Sequence, residues 1–229
     1  MKQNYVLLFD FDGTLVNSMP FFAETMLRVI NEAAVSYPEN IIEILTPLGY
    51  HGSAEYMINT LGINESADAL VTKMHEYAYD GYANDITLKE GVGGLLTSLK
   101  DSGYSLNVLT ASPHKMLDVC LKRNGVWELF DNVWSCEDFG TSKSDPGIYV
   151  SAAKMLAADV KDVAFFDDNV IAVETARRAG AFTFGVYDES GTAFTEKLKA
   201  TAHCYLDTMV DAKKTVISVL SKHKKGDLK

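Results

Sequence analysis

The sequence alternates between short apolar runs and stretches in which apolar residues recur every three or four positions. A short apolar run bounded by polar or turn residues is typical of a strand that is buried on both faces of a sheet. Such runs predict strands at residues 5–9, 105–109, 163–166 and 182–187, and more weakly at 132–135.

The stretches between these strands carry helical spacing. They predict helices at residues 113–124, 148–157 and 171–179. Ser112 has a side chain suited to capping the first of these helices, and Gly125 and Gly180 are suited to ending the first and the third. Strands that alternate with helices predict an α/β fold with a doubly wound, Rossmann-like parallel sheet.

The segment after the first strand has a different pattern. Residues 18–86 show helical spacing, with Phe22, Met26 and Met74 among the apolar positions, but no clear strand. We therefore predict a catalytic core formed by residues 1–17 plus 87–229, and a small all-helical cap domain formed by residues 18–86, which lies over the edge of the sheet.

Composition narrows the class of protein. Of 229 residues, 47% are hydrophobic, which is enough for a substantial core. The 21 basic and 31 acidic residues give a formal charge of −10, which argues against nucleic-acid binding because such proteins usually carry a basic face. Cys120, Cys136 and Cys204 are odd in number and widely spaced, which predicts reduced thiols and a cytoplasmic protein.

The two ends of the chain predict no membrane association. The apolar run at residues 5–9 is too short for a signal peptide or a membrane span. Residues 222–229 are polar and mostly basic, which predicts a frayed or disordered tail.

Acidic residues follow two of the predicted strands. Asp10 and Asp12 come directly after the first strand, and Asp167 and Asp168 after the strand at 163–166. In doubly wound folds the carboxyl ends of the strands line the ligand crevice. A carboxylate there can attack phosphorus, a second can transfer protons, and adjacent acids can hold Mg²⁺. A solvated Asp turn and a helix N-terminal acid pair are the alternative interpretations.

A hydroxyl and a lysine occupy comparable places. Thr110 and Ala111 lie where the second strand ends and a helix begins, a position at which backbone N–H groups can bind an anion. Lys143 precedes another predicted helix and can neutralise a phosphate. Taken singly, Thr110 is equally a turn residue and Lys143 a surface charge.

Together, these four motifs resemble those of the haloacid dehalogenase superfamily over nearly the whole chain. The resemblance rests on the strings DFDGTLVNS, LTAS, KSDPGIY and FFDDN. It implies a Mg²⁺-dependent phosphatase with Asp10 as nucleophile and Asp12 as general acid/base. It further implies phosphoryl binding by Thr110, Ala111 and Lys143, and metal binding by Asp10, Asp12, Asp167 and Asp168. The expected substrate is a small phosphorylated metabolite of the phosphoglycolate or sugar phosphate kind.

The resemblance also concerns the cap and the alternative functions. Caps of this type project a specificity loop into the site, here Leu48 to Gly52, so that Tyr50 and His51 are candidates to touch the substrate.

A hexose phosphomutase of the β-phosphoglucomutase kind is the closest rival, and a non-catalytic binding protein is less favoured. Such mutases carry a His that holds the acid/base Asp away from water. Here that position is Phe22, or Phe21, so we expect Asp12 to be free to activate water.

Overall fold

A six-stranded parallel sheet forms the centre of the molecule in the computed structural model, which describes residues 5–227. Its strands are β1 (Val6–Phe9), β2 (Ser105–Thr110), β3 (Asn132–Ser135), β4 (Val163–Asp167), β5 (Phe182–Val186) and β6 (Cys204–Leu206). Their order across the sheet is β3-β2-β1-β4-β5-β6, so β1 and β4 are adjacent and central. The predicted doubly wound α/β fold with a helical cap is confirmed.

All five predicted strands are present, within one residue of their expected ends. β6 was not predicted, because it has only three residues and gives almost no alternating or continuous apolar pattern. The two central strands place every residue from Leu7 to Phe9 and from Val163 to Asp167 in the interior. This burial explains their uninterrupted apolar runs, since both faces of the sheet are covered.

Helices cover the two faces of the sheet. Helices α1 (Met19–Glu32), α2 (Ile41–Leu45), α3 (Gly49–Asn59) and α4 (Ala67–Asp80) form the insertion after β1. They are followed by α5 (Val92–Asp101), α6 (His114–Arg123), α7 (Pro146–Met155), α8 (Val170–Ala179), α9 (Thr195–Thr201) and α10 (Lys213–Lys225). Alternate strand residues separate the faces: Leu7 and Phe9 pack with α5, α6 and α10, whereas Leu8 packs with α7 and α8.

The three predicted helices are present with shifted ends. Helix α7 spans Pro146–Met155 rather than 148–157, α6 spans His114–Arg123 rather than 113–124, and α8 spans Val170–Ala179 rather than 171–179. The prediction that Ser112 caps α6 was wrong, because its hydroxyl donates to a carboxylate instead. The tail prediction was also wrong for Lys222–Lys225, which belong to α10. Val216 and Leu220 anchor this helix on the core, and residues 228–229 lie outside the described part of the chain. Gly180 ends α8 in the left-handed conformation, as predicted.

The insertion has an apolar core of its own, built from side chains such as Phe22, Met26, Met57 and Met74. The prediction of a loop from Leu48 to Gly52 was wrong: Leu48 ends a 3₁₀ turn, Thr46–Leu48, and α3 starts at Gly49, so residues 49–52 form its first turn. The exact domain boundaries stay a prediction. Cys120, Cys136 and Cys204 are free thiols, as expected. Among the helices of residues 5–227, none has the length and hydropathy that crossing a bilayer requires.

Candidate active site

The end of β1 brings the first motif into the centre of the sheet edge. The Asp10 amide donates to the carbonyl of Phe166 at 2.8 Å, which continues the pairing of β1 with β4 past the strand. The chain then turns at Gly13, whose φ of +71° is unfavourable for other residues. A Cβ at Gly13 would lie 2.6 Å from Oδ2 of Asp168, so this turn also requires the absence of a side chain.

Three carboxylates converge at this point. Single oxygens of Asp10, Asp167 and Asp168 lie within 4.8 Å of one another, from the ends of the neighbouring strands β1 and β4. Lys143 places its Nζ 2.7 Å from Oδ1 of Asp10 and 2.7 Å from Oδ2 of Asp167. Within residues 5–227, no donor reaches Asp10 Oδ1 with hydrogen-bond geometry, so its contact with Lys143 is an ion pair.

Burial and mutual repulsion shift the pKa values of this cluster. Burial, then the charge of Asp167, holds the pKa of Asp10 well above its ordinary value. Burial likewise raises the pKa of Asp167, and burial with the neighbouring Asp167 raises that of Asp168 to about 8. Burial would lower the pKa of Lys143, but Asp10 and Asp167 outweigh it and keep that pKa raised. One lysine therefore faces three acids, and a further cation would stabilise their ionised forms.

Asp12 has a separate set of partners. Its Oδ1 accepts a hydrogen bond from the Tyr82 hydroxyl at 2.6 Å, and its Oδ2 accepts one from the Ser112 hydroxyl at 2.6 Å. Two hydroxyls therefore hold Asp12, and neither belongs to the His of a mutase; that Asp12 is free to activate water stays a prediction. Its carboxylate is not one of the three that converge, so its place among metal ligands stays a prediction.

The predicted phosphate-binding residues lie along the same cavity. Thr110, Ala111, Lys143, Asp10 and Asp12 all line it. The Thr110 hydroxyl oxygen accepts from the amide of Ser112 at 3.1 Å, which leaves its proton available to donate. Their roles in holding a phosphoryl group stay a prediction.

The two predicted cap residues lie in different environments. Tyr50 lines the cavity, and its ring packs edge-on against Phe22 and His75. His51 is exposed and is not among the residues that line the cavity. A contact of His51 with substrate therefore stays a prediction without geometric support in this conformation.

Several residues that shape the site carried no assigned role in the sequence. The Thr14 hydroxyl donates to Oδ1 of Asp168 at 2.9 Å and accepts from its amide at 3.1 Å, which ties the first motif to the fourth. Lys89 donates to the carbonyl of Gly13 at 2.6 Å and pairs with Asp188 at 2.8 Å. Thr14 lies inside the first motif, where it could have been found, whereas Lys89 stands in no recognisable pattern.

Comparison with known families agrees with this geometry. A family model described as haloacid dehalogenase-like hydrolase matches residues 7–186, which include all four motifs. The chain belongs to the haloacid dehalogenase-like hydrolases. The predicted enzyme class, a phosphatase, is confirmed. Magnesium is typical of this family.

The chain is similar to curated relatives and to solved structures over most of its length. It is 27% identical over 182 residues to validoxylamine A 7′-phosphate phosphatase of Streptomyces hygroscopicus subsp. limoneus, covering 79% of this chain and 84% of that protein. A predicted phosphoglycolate phosphatase from Haemophilus somnus has a TM-score of 0.78 and 21% identity over 94% of this chain and 99% of its own. β-Phosphoglucomutase from Clostridium difficile has a TM-score of 0.80 and 16% identity over 97% and 99%. The two structures establish the fold only.

Proposed function

We propose that this protein hydrolyses a small organic phosphate monoester, with Mg²⁺ and through an aspartyl phosphate on Asp10. The observation that carries the proposal is the convergence of Asp10, Asp167 and Asp168 around Lys143. Asp167 is fully buried beneath this cluster, whereas Asp10, Asp168, Lys143 and Asp12 line one cavity. A nucleophile, a proton carrier and charged groups for the phosphoryl oxygens are thus available together.

Two steps account for the reaction. In the first, a carboxylate oxygen of Asp10 forms a bond to phosphorus while the bond from phosphorus to the leaving oxygen breaks, and Asp12 gives its proton to that oxygen. In the second, Asp12 takes a proton from water, whose oxygen bonds to phosphorus as the acyl phosphate bond of Asp10 breaks. Lys143 and Thr110 hold the phosphoryl oxygens throughout.

The residues present fit a magnesium ion. Three carboxylates offer oxygen ligands within 4.8 Å of one another, and carboxylate oxygens are the ligands that Mg²⁺ prefers. When bound, Mg²⁺ would keep these acids ionised and offset the charge of the phosphoryl group. Asp10, Asp167 and Asp168 would hold it, and Thr14 would fix the orientation of Asp168 through its hydrogen bond.

The phosphomutase remains the rival within the fold. Phe22 lines the cavity at the position where the mutases carry a His, and neither it nor Phe21 can hydrogen-bond a carboxylate. We therefore propose water, rather than a second sugar hydroxyl, as the acceptor of the phosphoryl group.

The experiment combines three measurements on the intact protein. Release of phosphate from a small aryl phosphate should require Mg²⁺, stop with EDTA and resume when Mg²⁺ is restored. Asp10→Asn should keep the fold, checked by circular dichroism, and lose turnover. Full activity in chelator would overturn the metal role. With β-glucose 1-phosphate and a trace of the bisphosphate, glucose 6-phosphate formed faster than phosphate would overturn hydrolysis in favour of the mutase.

A further inference from the structure

The cavity above the carboxylates has a predominantly apolar wall. Its volume is about 350 Å³, and it lies between the insertion and the core, where the Asn169 side chain donates to the carbonyl of Pro47 at 3.4 Å. Both the insertion and the core supply apolar side chains to its lining: Met19, Phe22, Leu48, Val170, Ile171 and Phe194. This volume leaves room for an organic group beside a phosphoryl group.

Two of these side chains are exposed without an evident packing reason. Leu48 is 41% exposed and Ile171 is 45% exposed, and both line the cavity, Leu48 from the insertion and Ile171 from the core. Large apolar side chains in such a position gain nothing from the hydrophobic effect until something apolar covers them. A bound organic group would do so.

Positive charge is scarce on this wall. Among the described residues that line the cavity, the basic ones are Lys143 and Lys197. Lys143 is engaged with Asp10 and Asp167, and Lys197 is an exposed residue of α9. A second phosphate or a carboxylate on the substrate would have no buried cation to pair with, and an unpaired buried charge is costly.

Neutral hydrogen-bonding groups are present instead. Ser18 and Tyr50 line the cavity, and the Tyr50 hydroxyl lies beside that of Tyr82. Ser18 is only 1% exposed, and its hydroxyl has no hydrogen-bond partner within the described chain. Buried polar groups are usually satisfied, so the Ser18 hydroxyl indicates a ligand that offers an uncharged polar atom.

We propose that the phosphate ester of this site has an uncharged, mainly apolar alcohol as its leaving group, of the alkyl or arylalkyl class. This inference rests on the proposed hydrolysis at Asp10 and names its substrate class. It departs from phosphoglycolate, whose carboxylate would lie against Leu48, Ile171 and their neighbours without a buried partner.

A series of alkyl monophosphates tests the apolar wall. From ethyl to hexyl phosphate, the leaving alcohols differ little in acidity, so changes in kcat/KM report binding of the chain. We expect kcat/KM to rise about fourfold per methylene that is buried. Isobutyl phosphate matches phosphoglycolate in shape, with two methyl groups in place of the carboxylate oxygens, and should exceed it in kcat/KM by at least about tenfold.

A charge added to the wall provides the second test. Ile171→Lys should lower the preference for isobutyl phosphate over phosphoglycolate by about three- to tenfold, because the new ammonium can pair with the carboxylate. Val150→Lys is the matched control: Val150 is an exposed apolar residue of α7 that does not line the cavity, and this variant should keep the parental preference.

The outcomes separate this inference from the proposed function. Values of kcat/KM that do not rise with chain length, or that favour phosphoglycolate, would overturn the substrate class while leaving the hydrolysis at Asp10 intact. An equal change of preference in both lysine variants would show that overall charge, not the cavity wall, decides it, and would also overturn the inference. Failure to hydrolyse any ester, small aryl phosphates included, would overturn the proposed function itself.

Discussion

Replacing Tyr82 with Phe tests whether the hydrogen bond to Asp12 serves the reaction. Tyr82 lies in a π-helical turn, Gly81–Asp85, between the insertion and the core, and its hydroxyl donates to Oδ1 of Asp12 at 2.6 Å. Both residues line the cavity. We expect this bond to hold the carboxylate where it can give a proton to the leaving oxygen and take one from water.

The expected size of the effect follows from the bond. A hydrogen bond to a charged group contributes about 1.5–3 kcal/mol. Ser112 still holds the other oxygen of Asp12, and water from the cavity can replace the lost hydroxyl, so the lower end applies. Tyr82→Phe should therefore lower kcat/KM for an alkyl phosphate about tenfold. The protein should lose no more than about 1.5 kcal/mol of stability, a change of a few degrees in Tm.

Comparison of two leaving groups separates positioning from general damage. An aryl leaving group needs little protonation, so kcat/KM for 4-nitrophenyl phosphate should fall less than kcat/KM for the alkyl ester. Slower hydrolysis of the phosphoenzyme should also give a burst of nitrophenol in the variant. Tyr104→Phe is the control, since Tyr104 is a buried tyrosine of the core that does not line the cavity.

Three results would refute this reasoning. In the Tyr82→Phe variant, they are an unchanged kcat/KM for the alkyl ester, an equal loss of kcat/KM for both leaving groups, and an increase in kcat/KM. An increase would mean that Tyr82 restrains Asp12, as the His of a mutase does. A double variant with Ser112→Ala should show a non-additive loss, because both hydroxyls hold one carboxylate.

Other predictions concern the charged cluster. Asp10→Asn should lower turnover by at least about a thousandfold with the fold intact, and appreciable activity in the folded variant would remove Asp10 as nucleophile. Lys143→Met should weaken activity and also lower the stability of the metal-free protein, because Asp10 and Asp167 lose the cation that pairs with them. Unfolding in urea measures this loss of stability, and an unchanged midpoint would contradict the prediction. The pKa of Asp168 is raised from its ordinary 3.8 to about 8. Between these pH values Asp168 stays protonated in the metal-free folded protein but is ionised in the unfolded chain. The stability of the metal-free protein should therefore fall as the pH rises from 3.8 to about 8. Added Mg²⁺ should consequently raise Tm more near pH ~9 than near pH ~6, where it must displace that proton, and an equal gain at both would contradict the reasoning.

The sequence alone determined the sheet and most residues of the candidate site. Strands buried on both faces need continuous apolar runs, so β1, β2, β4 and β5 could be predicted from the amino-acid sequence. Parallel strands also end at one edge, so Asp10, Asp12 and the acids after β4 had to be neighbours once those runs were recognised as strands. Recognising the strands and placing the acids at one edge of the sheet both depend only on local sequence pattern.

Only the tertiary structure decided what surrounds those acids. The bond from Tyr82 to Asp12 joins residues 70 apart, and that from Ser112 joins residues 100 apart, so both depend on how the insertion and α6 dock on the sheet. Ser112 has a side chain that can cap a helix, but in the folded protein its hydroxyl donates to the Asp12 carboxylate instead. The short β6 and the basic end of α10 likewise form because Leu206, Val216 and Leu220 find a buried surface, not because their own segments favour it. The apolar lining of the cavity has the same origin, since Leu48 comes from the insertion and Ile171 from the core, and neither segment forms the cavity alone.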